Sequence, residues 1–108
     1  MAKGWKVLHY GGSALVTGAG RVDYPNGKPA FPRPECGPLC VFNDPGTAAQ
    51  FAASWGATIF PLEVVPCDYV ASEHTSVWHV GVSYYLSRPP RRTVLASQVT
   101  VHIPRGEE

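Results

Sequence analysis

One stretch of this chain, residues 43–56 (NDPGTAAQFAASWG), has helical periodicity, and it limits what the rest can build. Asp44 suits an N-cap, since a short carboxylate accepts from the free amides that open a helix. Pro45 suits the first helical position, where a missing N–H costs nothing. Ala48, Phe51, Ala52 and Trp55 fall at i, i+3, i+4 and i+7, which makes one apolar face. Gly56 marks a C′ stop. Everything else reads as strand or turn. The expected class is α+β, a mostly antiparallel twisted sheet with one main helix over about residues 45–55 packed on it. A lone helix cannot cover both faces of a parallel sheet, which argues against a doubly wound fold.

The chain has 108 residues, enough for one domain with its own core and too few for two. Nine Lys plus Arg against eight Asp plus Glu leave a net charge of +1. Such a balance gives no long-range pull on nucleic acid or on an anionic membrane surface. No apolar run approaches the length of a membrane span, and the first ten residues show no signal-peptide pattern. Three cysteines fit poorly with a complete disulfide framework, so the expected setting is reducing and cytoplasmic.

Strands are expected over residues 5–10, 14–17, 21–24, 39–42, 57–65 and 77–85. Asn26-Gly27 is a tight-turn signal. Pro61 makes the 57–65 strand an edge or a bulged one. Residues 66–76 read as a connection. A last strand, 93–103, changes phase: Val94 and Ala96 share one parity, while Val99, Val101 and Ile103 share the other. A bulge near Ser97 reconciles them, because a one-residue slip flips every side chain. Prolines at 25, 29, 32, 34 and 38 make residues 25–38 a surface loop, the kind of segment that carries binding function. The tail, 104–108, reads as frayed.

Several groupings bear on chemistry. Cys36, Cys40, Cys67 and His74 supply thiolate and imidazole in a number that suits tetrahedral zinc, with His79 nearby. The second closely spaced pair of a zinc module is missing, and a cysteine within an apolar strand, as at Cys40, behaves as a small hydrophobe. Gly11-Gly12-Ser13 and Gly18-Ala19-Gly20 supply flexible backbone of the sort that cradles anions. Neither completes a nucleotide fingerprint, and hairpin turns explain both. Arg88, Arg91 and Arg92 cluster around a Pro-Pro turn and suit bidentate contact with carboxylate or phosphate.

Residues 41–70, a strand, an Asp-capped helix with A-x-x-F-A, a glycine, a strand and a polar loop, resemble the central portion of the ADP-ribosyltransferase-like fold. Leu8-His9-Tyr10-Gly11-Gly12 is similar to the first-strand His-x-Gly element of that superfamily. The resemblance implies an NAD cofactor, with His9 on a ribose, Tyr10, Tyr84 or Tyr85 stacking, Glu63 as the acid, and Arg91 or Arg92 on phosphate. The family's late-strand glutamate has no counterpart, since the last strand carries Gln98. A related form without catalysis is what that departure implies. The same run, with the element at residues 90–96, is also similar to small uncharacterised proteins of bacteria and their viruses.

The reading that follows is a small non-enzymatic binding or regulatory protein that meets another protein through surface loops. Its contact residues are expected to be Phe31, Arg33, Tyr85, Arg88, Arg91 and Arg92, with Trp5 a further aromatic anchor, because aromatics and arginine dominate interface energetics. An unpaired edge strand near Pro61 would support a homodimer. An NAD-binding protein (His9, Glu63) and a zinc-stabilised module are the two alternatives.

Overall fold

A computed structural model describes residues 1–14, 21–33, 38–73 and 91–103. These residues form strands β1 (Ala2–His9), β2 (Gly12–Ser13), β3 (Pro29–Ala30) and β4 (Leu39–Phe42), helix α1 (Pro45–Gly56), and strands β5 (Glu63–Ala71) and β6 (Thr93–Val101). The expected 77–85 strand, the 18–20 turn and the 104–108 tail lie outside the described residues.

Every pairing is antiparallel, as expected for the class, but the sheet is not open. Strand β1 pairs with both β4 and β5, and β6 also pairs with both, so the four close into a small barrel. Strand β2 extends the ring as a hairpin from β1, and β3 lies along β6. The β1–β5 seam runs from Ala2↔Tyr69 to Leu8↔Glu63, whereas β1 meets β4 at Trp5↔Phe42 alone. That short seam needs a glycine. A Cβ on Gly4 would overlap Val41 Cγ1 and would sit 2.8 Å from the Phe42 carbonyl oxygen and 3.2 Å from Tyr69 Cε1.

Strand alternation sorts side chains to two sides of the wall. Leu8, Val41, Val65, Val99 and Val101 point into the barrel with Cys67, Tyr69 and Ala96. Their neighbours Val7, Phe42 and Val64 point outward and receive the helix through Ala48, Phe51 and Ala52. Phe42 and Phe51 lie 5.2 Å apart between centroids, and Trp55 continues the stripe 6.5 Å from Phe51. Asp44 caps the helix as expected: its Oδ2 accepts from the Thr47 amide at 2.8 Å and from the Thr47 hydroxyl at 2.7 Å. Gly56, expected to stop the helix, is its last residue instead. The Trp55 carbonyl takes both the Thr58 and Ile59 amides, so the chain leaves without a left-handed residue.

The expected 57–65 strand is displaced. Residues 57–62 form a turn and a connection, with a cis Phe60–Pro61 bond, and β5 begins at Glu63. What read as a connection from residue 66 is strand as far as Ala71. Pro66 is tolerated inside it because the amide nitrogen and carbonyl of one strand residue face the same side. The Pro66 carbonyl accepts from the His102 amide at 2.9 Å, beyond the last β5–β6 pair, Cys67↔Val101. The missing Pro66 N–H faces that same side, at the end of the β5–β6 ladder, and costs no bond to β1. The expected bulge is present: Val70 pairs with Gln98 and Ala71 with Ala96, which leaves exposed Ser97 unpaired between them. Ala96, Val99 and Val101 are thereby all fully buried.

Residues 21–24 make one isolated bridge, Gly12↔Asp23, rather than a strand. Residues 25–33 are loop, as expected, except where β3 joins the outer edge of β6. No helix among the described residues is long and apolar enough to cross a membrane.

Gly4→Ala is expected to lower unfolding free energy by about 1–3 kcal/mol, the range for overpacking a close-packed site. Urea denaturation followed by circular dichroism measures it, and an unchanged midpoint would mean that β1 and β4 do not approach as described.

Candidate functional site

One end of the barrel carries two exposed aromatics, Tyr10 and Phe31, with Arg21 and Arg33 beside them. It begins at the β1–β2 hairpin, closed by the pair His9↔Gly12. The two turn residues, Tyr10 at φ 51° and Gly11 at φ 75°, are both left-handed, as a two-residue type I′ turn requires. Glycine adopts this backbone freely, whereas tyrosine there is strained. Tyr10 is nevertheless 74% exposed, its ring set edge-on to that of His9 and little of it covered.

Arg21 ties this turn to the next segment. Its Nη2 donates to the His9 carbonyl at 2.6 Å and lies 3.4 Å from the Tyr10 carbonyl. The guanidinium lies against Gly12, where a Cβ would come within 2.8 Å of Cζ. Beyond Arg21 the chain dips into the barrel. Val22 and Ser13 exchange backbone and hydroxyl hydrogen bonds, and the Tyr24 amide donates to the Gly11 carbonyl at 2.8 Å. Lys6 Nζ stands 5.1 Å from the Tyr24 ring centroid and donates to the Cys40 carbonyl at 2.7 Å. Burial pushes the Tyr24 phenol above its usual range, and the nearby Lys6 ammonium opposes this. Val22 and Tyr24 thus plug one end of the interior.

An open groove of about 330 Å³ lies outside the plug, lined by Val22, Asp23 and residues 29–33. Phe31 is 57% exposed at its rim. Arg33 donates Nε to the Arg21 carbonyl at 3.0 Å, which sets its guanidinium beside the groove. Asp23 reaches no closer than 3.8 Å to Arg21 Nε and is mostly exposed.

The structure therefore brings together two of the sequence-expected contact residues, Phe31 and Arg33. Arg91 and Arg92 sit in the turn before β6, whereas β3 pairs with Val99 and Thr100 further along the same strand. Six residues of strand put roughly 20 Å between the two places. There the Arg92 carbonyl accepts from the Asn43 amide at 2.9 Å, next to the helix cap. Tyr85 and Arg88 lie outside the described residues. Trp5 is half-buried against the helix cluster.

His9 and Glu63 lie at the same end of β1 and β5, but alternation directs them apart. Glu63 shares the parity of Val65 and Cys67, and His9 that of Val7. The His9 ring packs edge-on against Tyr10 at 4.6 Å. Of the zinc candidates, Cys36 and His74 lie outside the described residues. Cys40 and Cys67 stand on β4 and β5, which face each other across the barrel without pairing. Burial raises both thiols, that of Cys67 to about 11, so thiolate is scarce at neutral pH. No cluster of three metal-ligating side chains occurs among the described residues.

Arg21, Val22 and Asp23 were not expected as site residues, and Tyr10 was expected only as a stacking partner in the NAD alternative. Tyr10 had a signal, a bulky residue before glycine at a hairpin turn. Arg21 had none, because its partners are carbonyls on another strand.

Comparisons with protein-family models, with curated proteins and with solved structures give no match.

A second ionisable group of three lies along β5. Asp68 forms an ion pair with Lys3 at 2.8 Å and meets His102 Nε2 at 2.7 Å. Hydrogen bonds from Lys3 and then His102 hold the Asp68 carboxyl below its usual range. A depressed folded-state pKa stabilises above the unfolded value, near about 4, and that contribution disappears as pH falls through the folded value. Asp68→Asn should therefore flatten the loss of stability below about pH 4, read from melting temperatures across pH 2–6; an identical pH slope would show that the group contributes nothing.

Tyr10→Asn should raise stability by about 1 kcal/mol, since asparagine accepts the left-handed turn that strains tyrosine. Chemical denaturation checks it, and a loss of stability would mean that the Tyr10 ring contributes to the fold.

Proposed function

We propose that this chain is a small non-enzymatic binding protein whose contact surface is the groove lined by Val22, Asp23 and residues 29–33, with Phe31 and Arg33 as its anchors. The observation that supports this is the Arg33–Arg21–hairpin relay. The Arg33 guanidinium is held by a bond to backbone beside a hollow rimmed by the exposed Phe31, and holding a group in place before contact reduces the ordering cost of association. Aromatic and arginine side chains are also the types that concentrate binding energy. Tyr10 extends the surface, since a strained and exposed residue is more often retained for contact than for folding. The partner in this reading is another protein, and Arg91 and Arg92 belong to a separate surface.

Site-specific photo-crosslinking tests the reading. A benzoylphenylalanine at position 31 should capture a discrete polypeptide from a native extract, and one at Ser54, on the exposed face of α1, should not. Arg33→Ala should weaken the capture. Equal adducts from both positions, or none from position 31, would remove the groove as the contact surface. Melting curves with millimolar NAD or ADP-ribose address the nucleotide alternative, because a ligand of the native state raises its apparent stability.

A further inference from the structure

Building on the groove reading, we infer that the occupant is an extended peptide segment that seats one apolar side chain against Phe31, Pro29 and Pro32 and places a carboxylate on Arg33. The hollow of about 330 Å³ is at the small end of ligand sites, which run from about 300 to 1,000 Å³. That is room for a side chain or two.

Arg33 selects the charge. Its Nε is spent on the Arg21 carbonyl, which orients the planar guanidinium, and no described carboxylate pairs with it. The remaining N–H groups form the fork that matches a carboxylate. Arg21 is the less available cation, because its Nη2 is committed to the hairpin carbonyls and its Nε already faces Asp23 at 3.8 Å.

Asp23 argues against a polyanion. Its carboxylate is 79% exposed in the groove wall and only loosely associated with Arg21. A phosphate backbone laid along the groove would meet that charge at a fixed spacing. A peptide carries charge only where its sequence puts it, so it can satisfy Arg33 and turn an amide or a basic side chain toward Asp23. The net charge of +1 adds no general attraction for nucleic acid.

The mode of contact is side-chain recognition. Strand β3 pairs with β6 on one edge only, yet Pro29 and Pro32 lack N–H groups on either side of Ala30 and Phe31. Two consecutive amides are too few to add a strand, and proline at a sheet edge blocks such pairing.

The test uses two capped, fluorescein-labelled heptapeptides that differ at one position. Each has a central Leu, followed two residues later by Glu in one and Lys in the other. Anisotropy and amide chemical shifts are followed at low salt, with an oligothymidylate as third probe. The expected result is a preference of about three- to tenfold for the Glu peptide, in line with an oriented but exposed ion pair. Shifts should fall at Val22, Asp23 and residues 30–33. Arg33→Gln should abolish the preference and Arg33→Glu should reverse it, with unchanged spectra elsewhere confirming the fold. Equal binding of both peptides at those resonances overturns the carboxylate assignment and leaves the groove standing as a contact surface. Tighter binding of the oligothymidylate, shifts that map elsewhere, or no binding at millimolar peptide overturn the inference too. The crosslink from position 31 then decides separately whether the groove binds a protein at all.

Discussion

The close crossing of β1 over β4 at Gly4 is the point on which the architecture turns. Strand β1 gives one full edge to β5, and for the ring to close its other edge must reach β4 within a single residue pair. At that place the Gly4 backbone lies against Val41, the Phe42 carbonyl and Tyr69 with no room for a side chain. Closure satisfies edges that an open sheet would leave as unpaired donors and acceptors, which is the general advantage of a barrel over a sheet. It also encloses one continuous cluster from Leu8 to Val101.

Two consequences follow for where function can lie. The interior cluster fills the barrel, and the outward apolar residues Val7, Phe42 and Val64 are covered by α1, while the outer face of β5 carries the Lys3–Asp68–His102 group. One end of the interior is taken up by Val22 and Tyr24, with Lys6 over the phenol ring. At the rim, where the plug segment emerges, stand exposed Tyr10, Phe31 and Asp23 with Arg21 and Arg33. The strained Tyr10 turn between β1 and β2, Arg21, and the groove lined by Val22, Asp23 and residues 29–33 are linked there through the Arg21 and Arg33 hydrogen bonds.

Part of this site was readable in the chain. Prolines at 25, 29, 32, 34 and 38 marked residues 25–38 as a surface loop, with Phe31 and Arg33 among the expected contact residues. The grouping of Arg91 and Arg92 with them did not follow from spacing, because both ends of β6 are near in sequence logic and far apart along an extended strand. Arg21 was invisible for the opposite reason. Its role rests on the carbonyls of His9 and Tyr10, and every residue has a carbonyl, so no pattern of side chains announces the contact. The comparisons add no relative from which the roles of these residues could be carried over.

Where a feature depends on neighbours a few residues away, the chain alone determined it. The Asp44 cap, the Ala48–Phe51–Ala52 face and the Ser97 bulge are all of this kind, since capping geometry, helical period and strand parity act locally. Tertiary structure decided the ring closure at Gly4, the continuation of β5 through Pro66, and the meeting of Arg33 with Arg21. Each depends on which backbone lies alongside which. A proline is tolerable or disruptive, and a glycine optional or required, according to the strand that comes to lie beside it, and that neighbour is chosen by burial summed over the whole fold.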